Sequence, residues 1–444
     1  MRVIVIGGVA AGASVAAKAR REIKDGEIVV YEKTDTVSFG ACGLPYYIGN
    51  CFSDPNFMIA RTVEDFKETG VEIKTFNEVK EVDFLNKKIK IKDLKNNRVY
   101  EDKYDKLVIA TGSIPIIPPI KNIELENVFT LKTLEDGLKL KEKLLSDEIK
   151  DITIVGAGYI GLELADTMSK LGKNIRIIQL DEDIMPESFD KEMTEIMKEE
   201  LSNKSIDLKL NEYVVELGGD KKVQRVITNK GEYNADLVVI ATGVKPNTSF
   251  LDKDEIELMN NGAIKVDNFG RTNIDDVYAV GDCAAIPHFV LEDNVYMALA
   301  TSANKLGRII GENLGGNKSK YPGTLGTAGL KLLDLECART GITEKLAKEL
   351  GYDYKQVFIK DKNQTNYYPG QEDIFIKLIY DKNSKKILGG QIVGKKGAAL
   401  RINTLAAAIY NGMTTKELGM LDLLYSPPFA RTWDVLNLAG NVAK

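Results

Sequence analysis

The first place to look for chemistry in this chain is Cys42, in the segment SFGACGLPYYIG from Ser38 to Gly49. A thiol at a helix N-terminus is held as thiolate by the positive end of the helix dipole, and a thiolate can attack a disulfide or trade electrons with a redox cofactor. The nearest other thiol, Cys51, is nine residues on, which the spacing places about two and a half turns further along the same helix, too far to bridge. Cys51, Cys283 and Cys337 have no such surroundings and read as packing thiols. Four cysteines in 444 residues are too few for a disulfide scaffold, and none form metal-binding pairs. The single histidine, His288, excludes a histidine-built metal centre or hydrolytic triad, so no metal is expected.

Two glycine turns supply a second kind of chemistry. The first, Gly7-Gly8-Val9-Ala10-Ala11-Gly12, follows the apolar run RVIVI and opens a small-residue helix; Glu32 ends the next strand 20 residues after Gly12, with Lys33 behind it. The second, Gly156-Ala157-Gly158-Tyr159-Ile160-Gly161, obeys the strict G-x-G-x-x-G spacing and leads through the strand NIRII to Gln179 and Asp181. A glycine turn opening a helix lets backbone N–H groups approach a pyrophosphate, while a polar residue about 20 positions on holds a ribose. A ligand-free strand-to-helix loop is the plainer reading of either turn, but two turns in full βαβ context outweigh it. Two nucleotide sites imply two cofactors, most simply FAD and a nicotinamide nucleotide.

The elements that must position these residues are duplicated. KLVIATG (Lys106 to Gly112) and DLVVIATG (Asp236 to Gly243) are each a strand ending in Ala-Thr-Gly after a glycine turn. From about residue 320 alternating strands such as DIFIKLIYD and ILGGQIVG appear, then an alanine-rich helix around Leu405 to Ile409, a third α+β unit. The length also suits about three domains. A net charge of -5 provides no basic field for nucleic acid. The N-terminal apolar stretch is not read as a secretory signal, because Gly7, Gly8 and Gly12 interrupt it and cleavage would destroy the turn that Glu32 completes. No apolar run approaches the roughly 18 residues of a membrane span. A soluble, cytoplasmic protein is expected.

Together these motifs resemble the pyridine nucleotide-disulfide oxidoreductases, a glutathione reductase-like family of FAD enzymes. TNIDDVYAVGDCAAI resembles the family strand whose Gly-Asp, here Gly281 and Asp282, holds the flavin ribityl chain. The resemblance implies an α/β fold with two Rossmann-like dinucleotide-binding domains and a C-terminal α+β dimerisation domain. FAD would be bound by residues 1–113 and 244–319, NAD(P)H by 114–243, and the partner chain by 320–444. Ala110, Thr111, Gly112 and Ala300 join the FAD contacts, and Gly243 those of the nicotinamide nucleotide. Tyr159 takes the position of a gate over the nicotinamide pocket and Glu163 lies beside it. Gln179 stands where a glutamate often holds the NADH ribose, and no arginine awaits a 2′-phosphate, which favours NADH while leaving NADPH open.

The cysteine segment resembles the single-cysteine branch. Two-cysteine relatives are spaced C-x4-C, and the matching position here is Tyr47. NADH oxidases and peroxidases carry a histidine at the position of Ala10, whereas GGVAAG resembles coenzyme A disulfide reductases. Two further segments, LLYSPPFARTWD and QTNYYPGQED, resemble the tyrosine-bearing loops of that group. They imply that Tyr425 and Tyr367 reach the active site from the partner subunit of a homodimer and donate a proton or hydrogen bond to a departing thiolate. Ser14, Lys18, Arg21, Ser38 and Asn304 take the positions that contact coenzyme A, and Arg308, with Arg61, adds positive charge for its binding. Ala41 and Trp433 depart from the pattern. The implied reaction is NAD(P)H-driven reduction of coenzyme A disulfide through a Cys42–S–S–CoA mixed disulfide. NAD(P)H oxidase or peroxidase activity, CoA-dependent sulfur or polysulfide reduction, and a non-enzymatic redox sensor are the alternatives.

Overall fold

The apolar run Arg2–Ile6 is buried along nearly its whole length, as expected of a central strand in a sheet covered on both faces. In the computed structural model, which describes residues 1–444, it lies mid-sheet in the order Val277–Ala279, Lys106–Ile109, Arg2–Ile6, Glu27–Tyr31, Glu72–Lys74, all parallel. A second parallel sheet repeats the plan in the order Asp207–Lys209, Asn174–Ile178, Asp151–Val155, Leu237–Ile240, Val128–Thr130. In both, the strand entering the glycine turn is flanked by the strand after the helix and by the strand leading to Ala-Thr-Gly. Only after the second sheet is complete does the chain return to add Val277–Ala279 to the first.

The C-terminal unit is a five-stranded antiparallel sheet, ordered Ala328–Leu332, Leu335–Gly341, Ile387–Gly394, Asp373–Asp381, Tyr354–Lys362. The alanine-rich helix Ala398–Tyr410 packs across it. Lys377, fully buried in this sheet, donates to Glu192 of the second unit at 2.7 Å and also pairs with Glu344. Gln391 donates to Asp190 in the same seam. Removing one member of so buried a network would leave an uncompensated charge at a cost of about 3–5 kcal/mol.

The segment after Cys42 is fastened to the second unit. Leu44, Tyr47 and Ile48 belong to the same apolar cluster as Ile152, Leu162 and Leu164, and to strand residues Leu332 and Cys337 of the C-terminal unit. Contact is too close for side chains at two glycines: a Cβ on Gly49 would lie 2.4 Å from Thr167 Cβ, and one on Gly137 would lie 2.4 Å from Leu44 Cδ2. Lys141 donates to the Tyr47 carbonyl at 2.8 Å while covering its ring.

The helix here is shorter than the sequence spacing suggests. Cys42 sits in a single 3-10 turn, Ala41–Gly43, and the α-helix runs only from Leu44 to Ile48. Gly49 closes it, Asn50 turns to φ +58°, and the Cys51 amide donates back to the Tyr46 carbonyl. Cys51 therefore lies in the turn beyond the helix rather than along a continuing one. No helix of the chain is long and apolar enough to cross a membrane.

A candidate redox site between two glycine turns

Each glycine turn is built by contact. Gly7 has φ +103°, and a Cβ there would lie 2.2 Å from the Ala110 carbonyl; a Cβ on Gly12 would lie 1.9 Å from the Gly7 carbonyl. Gly156 and Gly161 repeat this against Ala241 and Gly156 at 2.4 and 2.1 Å. The helices that follow, Ala10–Glu22 and Tyr159–Ser169, start without a side-chain cap or an acidic residue in the first turn. Their first N–H groups, at Ala10 and Ala11 and at Tyr159 and Ile160, are thus uncontested donors of the kind a pyrophosphate takes. The residues present fit two dinucleotides.

Buried Glu32 accepts from the Gly8 amide at 2.8 Å and from Thr34 N at 2.9 Å. In the second turn Gln179 Oε1 accepts from the Ala157 amide at 2.8 Å and its Nε2 donates to Asp181 at 2.7 Å. Lys33 is exposed beyond Glu32. The two Ala-Thr-Gly ends turn back at Gly112 and Gly243, both with positive φ, and Thr111 Oγ1 donates to the Asn247 carbonyl.

Asp282 is fixed by two residues that sequence reasoning missed. Ser113 Oγ donates to it at 2.8 Å, Lys132 Nζ donates to it at 2.9 Å, and Lys132 also reaches Ser113 Oγ at 2.8 Å. Gly281 has φ +82° and abuts Ala11, and Ala300 opens the helix Ala300–Leu314 nearby in the same unit. The only sequence signal for Lys132 was its place just before the capping threonine Thr133.

Cys42 has its side chain open to solvent on one face, yet enough protein surrounds it that desolvation is the largest influence on the thiol. Burial pushes its pKa up, the carboxylates of Glu163 and Asp282 push it further up, and Lys132 opposes them. The helix-terminus stabilisation expected from sequence is outweighed here, because the helix is one short turn and two acids stand near. Burial also pushes the Glu163 carboxyl up to about 7. Tyr46 Oη donates to Glu163 at 3.2 Å, joining the cysteine segment to the helix of the second turn. The Tyr159 hydroxyl is buried without a partner.

The coenzyme A candidates divide into groups. Ser14 donates to Asn304 across the helices Ala10–Glu22 and Ala300–Leu314, and Lys18 and Arg308 share Glu312 at 3.3 and 3.2 Å. Lys18 also pairs with Glu22, so acids already answer part of the positive charge on this face; Arg21 is exposed. Ser38, at φ +48°, belongs to the Cys42 side, its amide donating to the Gly8 carbonyl. Arg61 covers the Phe66 ring. Tyr367 and Tyr425 meet hydroxyl to hydroxyl at 2.7 Å on an exposed C-terminal face that also shows Phe429 and Trp433.

Two uncapped glycine turns on duplicated parallel sheets, with the accessible Cys42 thiol beside them, define an oxidoreductase of the two-dinucleotide, redox-cysteine class. The chain belongs to the pyridine nucleotide-disulphide oxidoreductase family: residues 1–307 match the family model and residues 327–435 its dimerisation domain. It is a flavoprotein family that uses FAD and NAD(P)H. The chain is 36% identical over 444 residues to an NAD(P)H coenzyme A polysulfide/persulfide reductase of Pyrococcus horikoshii, covering 100% of this chain and 98% of the relative. It is 33% identical over 445 residues to an NADH oxidase of Enterococcus faecalis, covering 100% and 99%. The structure of an NAD-dependent persulfide reductase from A. fulgidus superposes with a TM-score of 0.95 at 36% identity, covering 100% of this chain and 83% of that one.

Proposed function

We propose that this protein reduces coenzyme A disulfide with NADH or NADPH through a Cys42–S–S–CoA mixed disulfide. One observation carries the reading: Cys42 is an accessible free thiol, and the only nearby cysteine, Cys51, lies in a separate turn as a free thiol too, so the disulfide partner has to come from a substrate. In this reading residues 1–113 and 244–319 hold FAD, 114–243 hold the nicotinamide nucleotide, and 320–444 pair two chains in the cytoplasm.

Bound FAD would supply the electron pair, taken from NAD(P)H. The Cys42 thiolate attacks one sulfur of CoA disulfide; the S–S bond breaks, Cys42–S–S–CoA forms and one CoA thiolate leaves. Two electrons then cleave the mixed disulfide to the Cys42 thiolate and a second CoA. Lys132 favours the thiolate by charge and keeps Asp282 paired. Tyr425, with Tyr367 hydrogen-bonded to it, would come from the partner subunit to protonate the leaving thiolate. Ser14 and Asn304, with Lys18, Arg21 and Arg308, would meet the polar body of CoA, and Ser38 its thiol end.

A second reading, reduction of a CoA-linked persulfide or polysulfide at the same cysteine, is favoured by the activity for which the Pyrococcus horikoshii relative is named. The test is steady-state kinetics of both nicotinamides against CoA disulfide, CoA persulfide, polysulfide and oxygen, with intact-mass measurement of oxidised enzyme. The proposal expects CoA disulfide to give the highest kcat/KM and a thiol-releasable CoA adduct on Cys42. Fast persulfide turnover with slow CoA disulfide turnover selects the second reading, and oxygen uptake without any adduct overturns both.

A further inference from the structure

The Tyr46–Glu163 hydrogen bond crosses from the cysteine segment to the helix that opens the second glycine turn. Those elements cannot drift apart freely: Gly49 lies against Thr167, two helical residues beyond Ala165, and Leu44 and Tyr47 share a core with Leu162 and Leu164. Glu163 is therefore held against the cysteine segment, half buried, with no cation paired to it, and its charge is felt at the Cys42 thiol.

We propose that Tyr46 is a positioning residue that holds Glu163 as a charge gate on Cys42, so that the thiolate forms more readily while Glu163 carries its proton. The gate rests on Cys42 being the reactive thiol and not on which disulfide or persulfide it meets. The sign follows from Coulomb repulsion: an ionised carboxylate beside the sulfur disfavours a second negative charge. Burial sets the Glu163 carboxyl at about 7, and the Tyr46 hydrogen bond pulls it down against that burial. Below that pH Glu163 is neutral and the gate is open. Above it, Glu163 is ionised and opposes the thiolate.

The charges packed around the pair support this assignment. On its own helix Glu163 faces Asp166, which raises it slightly and is itself paired with Lys170. Asp282 from the first unit and Lys132 from the second act on Cys42 with opposite signs and are paired to each other. Lys141, on the helix Leu134–Leu144, is spent on the Tyr47 carbonyl. Arg176, on the strand Asn174–Ile178, is spent on Asp207, and Lys331 of the C-terminal sheet on the Leu333 carbonyl. No neighbouring cation neutralises Glu163 as it ionises.

The experiment is the rate of Cys42 alkylation by iodoacetamide in the reduced, FAD-loaded enzyme from pH 6 to 9, read by intact mass. A Cys51→Ser background silences the other exposed thiol, while Cys283 and Cys337 are buried. Glu163→Gln keeps the acceptor for Tyr46 and removes the charge; Tyr46→Phe keeps the ring and removes the donor. The gate expects both variants to match the parent at pH 6 and to exceed it by about threefold, half a pKa unit, at pH 8. A ratio to the parent that is flat across pH, whether at one or above it, overturns the proposal, since a loosened site would react faster at every pH. A Cys42 that stays unreactive in Glu163→Gln overturns it as well. The measurement uses no CoA, so failure of the enzyme to turn over CoA disulfide leaves it readable.

Discussion

Gln179 accepts a hydrogen bond from the Ala157 amide at 2.8 Å, the bond that Glu32 draws from the Gly8 amide at the same distance in the first turn. The amide does the structural work of the carboxylate and spends its NH2 on Asp181, so the negative charge at the proposed ribose-binding edge sits two residues further on. Asp181→Ala is expected to lower kcat/KM for NADH about 5- to 30-fold, the loss of one charge-assisted hydrogen bond of about 1–2 kcal/mol, while NADPH, which the carboxylate would repel, changes little or improves. Parallel titrations of both nucleotides check it; an equal loss for both would move the ribose contact elsewhere.

That relationship shows what the sequence could and could not reveal. Glycine turns, buried strands and Ala-Thr-Gly echoes are written in consecutive residues, so both parallel sheets were legible. Ser113, Lys132 and Tyr46 were not, because nothing local marks them: Lys132 meets Asp282 from 150 positions away, and only the return of the chain to the first sheet brings them together. The helix after Cys42 was read too long because the Gly49–Asn50 stop was given less weight than the apolar run before it. The basic face at Lys18 and Arg308 was legible as spacing, but not the acid Glu312 that pairs with both.

Cys42→Ser is expected to lower disulfide turnover on the order of a thousandfold or more, since an alcohol cannot replace the thiolate as nucleophile or form the mixed disulfide. Cys51→Ser is expected to leave turnover within about twofold of the parent, because Cys51 sits outside the helix that presents Cys42. Flavin absorbance in both variants shows that the fold is kept. Full activity in Cys42→Ser would assign turnover to another centre.

Lys132→Met removes the cation that Asp282 and Ser113 share and the one positive influence on the Cys42 thiol. With that attraction gone the thiol pKa rises further, so the rising, acid-side limb of the kcat/KM profile is expected to move to higher pH and turnover near pH 7 to fall. The Asp282 carboxylate, left with Ser113 as its one side-chain donor, should also cost about 1–3 kcal/mol of stability. A pH–rate profile with a thermal melt separates the two effects, and an unmoved rising limb would remove Lys132 from the thiol's control.

His288 offers a test of the fold rather than the site. It is buried, its Nδ1 accepts from the Val290 amide at 3.1 Å and from Leu291 N at 3.3 Å, and its Nε2 has no partner. Burial, with Arg339 adding repulsion, holds its pKa down to about 4. A depressed histidine favours the neutral folded form: the unfolded chain takes up a proton near pH 6.5, the folded chain only near 4. Its contribution is therefore complete above about pH 6.5 and is lost as pH falls towards 4, up to about 3 kcal/mol. His288→Asn, which keeps an acceptor for the two amides, is expected to start less stable at pH 7 but to lose less between pH 6.5 and 4.5 than the parent. Melting temperatures across that range check it, and equal slopes in the two proteins would show that other groups carry the acid sensitivity.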